Sequence, residues 1–213
     1  MPPLLYSVPV DHAPFGNPRR NYRESPEPET YRRRHRPLHP IQLSLLGSLS
    51  LDLETTKARR VICLGDSFDA PTLQTALPDS DLLTLTTLQA GLDWVWIEGN
   101  HDPGPVQLGG THRRSLMVGP LNFRHIAKTS PTPGEVTGHY HPKATLSLRG
   151  RALTRPCFLF DDTRLILPAY GAFTGGLHSH DPALACLMSP TAEAILTGPR
   201  PCKFPMPGRT PLS

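Results

Sequence analysis

The sequence predicts an α/β protein, and three observations carry that class. Two short apolar runs of β-preferring residues, "VICL" at 61–64 and "WVWI" at 94–97, bracket the helix-like stretch "PDSDLLTLTTLQAG". Strand, helix, strand at this spacing is the pattern of a parallel pair joined by a crossover. Polar residues follow each run at once: Gly65-Asp66 after the first, Gly99-Asn100-His101-Asp102 after the second. Short strand-like segments with tight turns then take over the second half.

Taken in order, residues 1–40 stand apart. They hold nine prolines and no sustained apolar periodicity, a composition that cannot supply a conventional strand or helix. "IQLSLLGSLSLDLETT" at 41–56 alternates loosely between apolar residues and Ser, and both strand and helix stay open there. "VICL" is apolar throughout, as in a strand buried on both faces. The next helix has Asp79 or Ser80 as its expected N-cap and Gly91 as its stop. "LNFRHIA" (121–127) and "GEVTG" (134–138) read as strands, and "CFLF" and "RLILPAY" as a hairpin turning at Asp161-Asp162-Thr163. The Pro- and Gly-rich tail after Pro190 reads as irregular.

At 213 residues, 38% hydrophobic and 19% charged, the chain suits one domain of ordinary size with a real core. No apolar run reaches the roughly 20 residues of a membrane span, which argues against a membrane partner. No continuous apolar segment marks a secretory signal. Four cysteines stand far apart without a CxxC pair, so free thiols in a reducing, cytoplasmic setting are expected rather than disulfides. The net charge of +4 lies wholly in residues 1–60, which hold 10 Lys/Arg and 6 Asp/Glu; residues 61–213 hold 12 of each. A nucleic-acid-binding arm is one reading of the Arg-rich start. A disordered or mistranslated tail is the favoured one.

Asp66, Asn100, His125 and the pair His139 and His141 share one grammar, an apolar strand followed by O and N donors. In open α/β sheets, ligand sites gather beyond the carboxyl ends of strands, so Asp66 and Asn100, ending consecutive strands, should be neighbours. Each residue alone has a plain structural reading, as a turn former, a cap or a satisfied core histidine. Together they suit Mn²⁺, Fe or Zn²⁺, and the lack of thiols argues against a structural zinc site.

"LGDSFD", "WIEGNHDP", "FRH" and "GHYHP", in this order and spacing, resemble the calcineurin-like metallophosphoesterases. "GEVTGHYHPKA" and "CFLFDDTRLILPAYGAFTGGL" followed by "DPAL" narrow the resemblance to the ligase-associated DNA-repair phosphoesterases called PdeM, over about residues 58–200. The resemblance implies a two-sheet β-sandwich flanked by helices, and two divalent metal ions, with Mn the first expectation. It implies a hydrolase that attacks a phosphodiester in line with a metal-activated hydroxide. Asp66 would bridge both ions; Asn100, His125 and His139 would complete one, and His141 would bind the other. His101 would act on phosphoryl or leaving oxygens, with Asp102 orienting its ring. DNA would be the substrate, and a DNA ligase and a helicase would be partners.

Two departures qualify this expectation. The family's opening strand ends in Asp-x-His, and that motif does not occur in this chain. Asp11-His12 lacks the spacer, and Asp52 sits too close to Asp66 for a full crossover. The His that usually precedes Asp69 is also missing. Residues 1–57 are therefore read as an atypical, poorly ordered or frameshifted segment, 58–200 as the domain and 201–213 as an irregular tail. A missing first strand should leave a sheet edge bare, the second metal should be held weakly, and turnover should be weak or absent. The alternatives are a catalytically impaired binding module and a phosphoesterase for small molecules such as nucleotides.

Overall fold

A computed structural model describes residues 4–6, 40–67, 77–101, 104, 108–148, 150–170 and 175–206. The elements in chain order are β1 (Leu4–Tyr6), α1 (Pro40–Thr56), β2 (Arg60–Cys63), α2 (Asp79–Gln89), β3 (Asp93–Ile97), β4 (Thr111–Arg113), β5 (Ser115–Val118), β6 (Leu121–Arg124), β7 (Glu135–Thr137), β8 (Lys143–Leu148), β9 (Arg151–Phe160), β10 (Arg164–Ile166), α3 (Pro182–Ala185), β11 (Glu193–Leu196) and β12 (Cys202–Pro205). They build two sheets. The first runs β1-β2-β3-β4 and is parallel throughout. The second runs β12-β11-β9-β10-β7-β6-β5, with β8 paired to β9 beside that path.

Period-2 alternation explains the layers. Ile62, Leu64, Val95 and Ile97 point from the first sheet into a core shared with Phe123, Val136 and Leu167 of the second. Val61, Cys63, Trp94 and Trp96 point the other way, onto Leu49 of α1 and Leu85 of α2. The far face of the second sheet closes over Leu184, Leu187 and Met188 around α3. The result is the helix-flanked two-sheet sandwich that the resemblance implies. "VICL" is buried on both sides as expected, with Val61, Ile62, Cys63 and Leu64 all at 0% exposure.

Several expectations need correction. The open stretch 41–56 lies in a helix: Leu46, Leu49 and Leu53 fall on one face against the first sheet, which a Ser/Leu alternation disguises. The N-cap of α2 is Pro78, with no side-chain cap bond, so Asp79 lies inside the first turn. Gly91 does stop that helix, at φ 78°. The tail is not irregular past Pro190: β11 and β12 pair antiparallel from Glu193↔Pro205 to Leu196↔Cys202. The first sheet's edge beside β2 is not bare either, because β1 pairs with it in parallel register, Leu4↔Val61 to Tyr6↔Cys63. Residues 1–57 thus contribute two described elements, β1 and α1. Asp11 and His12 lie outside the described residues.

Among the described residues no helix is long and apolar enough to cross a membrane. All four cysteines are free thiols.

Candidate metal centre

Each sheet contains a parallel pair, β2–β3 in the first and β6–β7 in the second. The chain leaves these four strands toward one rim. Asp66 follows β2, Asn100 and His101 follow β3, His125 follows β6 directly, and His139 follows β7. Turning sharply off a strand requires unusual backbone, and Gly65 (φ 84°), Asp66 (φ 49°) and His139 (φ 55°) all adopt positive φ, a region costly for side chains other than glycine's. Gly65 has a second reason to be glycine. A Cβ there would stand 2.7 Å from His125 Nδ1 and 2.8 Å from the Gly99 Cα, so the two turns and the imidazole could not approach as they do.

His125 is the hub of the site and is nearly fully buried. Its Nδ1–H donates to the Leu64 carbonyl at 2.6 Å. A carbonyl can only accept, so this bond fixes the ring's proton on Nδ1 and aims Nε2 into the site. Three atoms converge on that Nε2: Asn100 Oδ1 at 2.9 Å, Asp66 Oδ2 at 3.0 Å and His139 Nδ1 at 3.0 Å. One proton at most can serve this nitrogen. At least two of the three contacts therefore bring lone pairs together, which is unfavourable unless a cation lies among them. Ligands at adjacent corners of an octahedron with bonds of about 2.1 Å are about 3.0 Å apart, so the donor set fits a divalent ion. Among the described residues, Asp66, His125 and His139 form the group of carboxylate and imidazole atoms that could hold one.

Protonation states agree with that role. Burial pushes the Asp66 carboxyl up, but its hydrogen bond and charge interaction with His125, and the His101 backbone N–H donating to Oδ1 at 2.9 Å, outweigh it and hold the group at about 2. Burial, then the charge of His125, push His139 down to about 4. At neutral pH Asp66 is a carboxylate and His139 a neutral ring, the forms in which both bind metals.

The expected neighbourhood of Asp66 and Asn100 is present, both on His125 Nε2. His101 is exposed at the rim and tethered to Asp66 through its backbone. His141 is buried at φ 44° and stands outside the group of three. Gly176 packs on it so closely that a Cβ would overlap the His141 carbonyl oxygen. Asp102 and Asp69 lie outside the described residues. Sequence reasoning missed the Leu64 carbonyl, since backbone atoms leave no signature, and Tyr140, whose ring meets His139 edge-on at 4.9 Å and 81°.

A structure-level comparison is informative at this point. A Pseudomonas putida nuclease, MPE, superposes with a TM-score of 0.55 at 28% sequence identity, over 73% of this chain and 75% of that one. The fold is metallophosphoesterase-like. No protein-family model matches the chain, and no curated protein matches it. The layered sandwich agrees with that likeness.

Proposed function

We propose that this chain is a metal-dependent phosphodiesterase acting on nucleic acid, of the ligase-associated DNA-repair (PdeM) type. The observation that carries the reading is the convergence of Asp66, Asn100 and His139 on His125 Nε2 at 2.9–3.0 Å. The likeness to a nuclease supports it, as do the "GNHDP" and "GEVTGHYHPKA" motifs. A divalent ion held by Asp66, Asn100, His125 and His139 supplies charge to a phosphoryl oxygen and can lower the pKa of water from 15.7 to about 7. Mn²⁺ is the proposed ion, from the mixed O/N donor set.

The chain's own groups divide the remaining work. The Asp66 charge draws the cation, and the Leu64 carbonyl keeps the His125 lone pair aimed at it. His101, held at the rim by its bond to Asp66, hydrogen-bonds phosphoryl oxygens or gives a proton to the leaving oxygen. Asp102 is its proposed orienting partner. His141 is the proposed ligand of a second ion. Its place outside the group of three favours a second reading, in which one ion is held firmly, the other weakly, and turnover is weak. A DNA ligase and helicase as partners, and the cytoplasm as location, belong to the same proposal.

The test is direct. The chain is stripped with EDTA, reloaded with Mn²⁺ and assayed on bis(p-nitrophenyl) phosphate and on single-stranded DNA, with metal content measured alongside. Metal-dependent hydrolysis of both, lost in Asp66→Ala, sustains the proposal. Hydrolysis of the chromogenic diester alone moves the substrate to small molecules. A bound ion without hydrolysis of either leaves a binding module.

A further inference from the structure

The balanced charge of residues 61–213 hides a strong local imbalance. From 103 to 160 the chain holds eight Lys/Arg and a single acid, Glu135. Glu135 is fully buried, 3.7 Å from the equally buried Arg164, so it offers nothing to the surface. Within this window, residues 143–156 hold four Lys/Arg and no Asp/Glu. Lys143–Leu148 and Arg151–Phe160 pair as the β8–β9 ribbon, which begins at Lys143, two residues beyond His141; Arg155 and Arg151 stand opposite Ala144 and Leu148, on the other face from Lys143.

Register sorts the ribbon's faces. Ala144 is fully buried in the core under the second sheet and Leu146 packs against the same core, so that face points inward. The opposite face carries Lys143, Thr145 and Ser147 of β8 beside Pro156, Thr154 and Ala152 of β9. Thr145 and Thr154 join hydroxyls at 2.7 Å. At the root of this face, His178 bridges Lys143 in parallel, with the Lys143 N–H donating to the Leu177 carbonyl at 2.8 Å and the Ser179 N–H to the Lys143 carbonyl at 2.7 Å. Bridged residues project to the same side, which sets His178 next to Lys143. His180 stacks on His178 at 4.8 Å and 31°.

The outward face is therefore short-chained and rich in hydroxyls, with Lys143 as its cation and the His178 ring beside it. Among the described residues Lys143 forms no ion pair. The acid nearest in sequence to His180 is Asp181, whose carboxylate accepts the Ala183 N–H as the cap of α3. Burial, then the charges of His180 and Lys143, hold His178 below the usual histidine range. His178 therefore faces a phosphate as a neutral hydrogen-bonding ring, and the charge of the face is that of Lys143. Phosphate groups are bound by this inventory of Lys, His and Ser/Thr hydroxyls, and small side chains let a sugar-phosphate backbone come close.

We infer that this face, from His178 and Lys143 to Thr145 and Thr154, is a shelf that binds the backbone phosphates of a nucleic-acid strand and leads it to the metal centre. The inference rests on the nucleic-acid reading of the site. Its test is equilibrium binding of a fluorescent single-stranded oligonucleotide to the full chain in EDTA, over a range of salt, so that no turnover is needed. Lys143→Glu combined with His178→Ala should weaken binding at least tenfold and flatten the log K against log salt slope by about 0.7 for the one cation removed, Lys143. Ser147→Lys, which adds a charge on the same exposed face, should tighten binding and steepen the slope by a similar amount; misfolding cannot produce that gain. If wild type binds and none of these variants differs from it, the shelf is overturned while the function above stands. If wild type neither binds nor cleaves nucleic acid yet hydrolyses a small diester, the nucleic-acid reading falls and the shelf with it.

Discussion

Asp66, buried, and Asp161, half-buried, are both carboxylates held below the ordinary range, and they reach that state by different means. At Asp161, burial pushes the group up and four donors more than compensate. Oδ1 accepts from the Thr163 N–H and hydroxyl at 2.8 Å each and from the Arg164 N–H at 3.0 Å, and Oδ2 from the Ser189 N–H at 2.8 Å. Every interaction is donor to acceptor, and the turn between β9 and β10 is complete. At Asp66, Oδ1 accepts the His101 N–H, but Oδ2 faces a ring nitrogen already crowded by Asn100 and His139. A lowered pKa is common to both, so it does not distinguish structure from function. The donor inventory does: Asp161 is met by donors alone, while Asp66 Oδ2 shares the His125 ring nitrogen with Asn100 Oδ1 and His139 Nδ1, a set of acceptors that suits a cation.

The comparison can be broken most forcefully at Asp66. Asp66→Ala should lower metal-dependent hydrolysis by about 10³-fold or more, because the ion and the charge it supplies leave together. The melting temperature of the metal-free chain should move by less than about 4 °C. A large loss of stability with the bound metal retained would make Asp66 another Asp161. Gly65→Ala comes next. The positive φ and the overlap with His125 should cost about 2–4 kcal/mol, read by denaturant unfolding, with metal affinity reduced alongside.

Asp161→Asn should act on stability alone. The folded carboxyl lies below its unfolded value, so its contribution is complete above the ordinary carboxylate range and is lost as pH falls through the folded value. Wild type should therefore lose stability on acidification across that window, and the Asn variant should show a flatter profile with metal-dependent hydrolysis unchanged. The smallest effect is expected at His141. His141→Ala should leave the firmly held ion in place and reduce hydrolysis by less than about tenfold, or about 1.4 kcal/mol. Abolished turnover from an otherwise vigorous enzyme would show the second position to be fully formed.

Much of the site was legible because its ligands are side chains at strand ends. Asp66, Asn100, His125 and His139 could each be placed from an apolar run and the polar residue that stops it. The βαβ unit and the β9–β10 hairpin were legible for the same reason, since burial on a strand writes itself as period or continuity. The rest depended on what sequence does not encode locally. The helix of α1 is decided by a sheet surface waiting for Leu46, Leu49 and Leu53, not by its own alternation. The β11–β12 hairpin draws its partner from β9, through Leu196↔Cys157 to Glu193↔Phe160, so its Pro and Gly content misleads. β1 is three residues long and pairs with β2. The tautomer of His125, set by a main-chain carbonyl, has no residue to announce it.

The tryptophans carry a practical consequence. The chain has two, Trp94 and Trp96, both buried on the helix-facing side of β3 with rings 5.6 Å apart. The Trp96 Nε1–H donates to the Gly109 carbonyl at 2.7 Å. The second sheet has none. Intrinsic fluorescence therefore watches the first sheet alone, while far-UV circular dichroism sees both. Denaturation curves that coincide by these two signals would mean that the sandwich melts as one cooperative unit. A fluorescence change that runs ahead would show the layer behind Asp66 and Asn100 loosening before its partner.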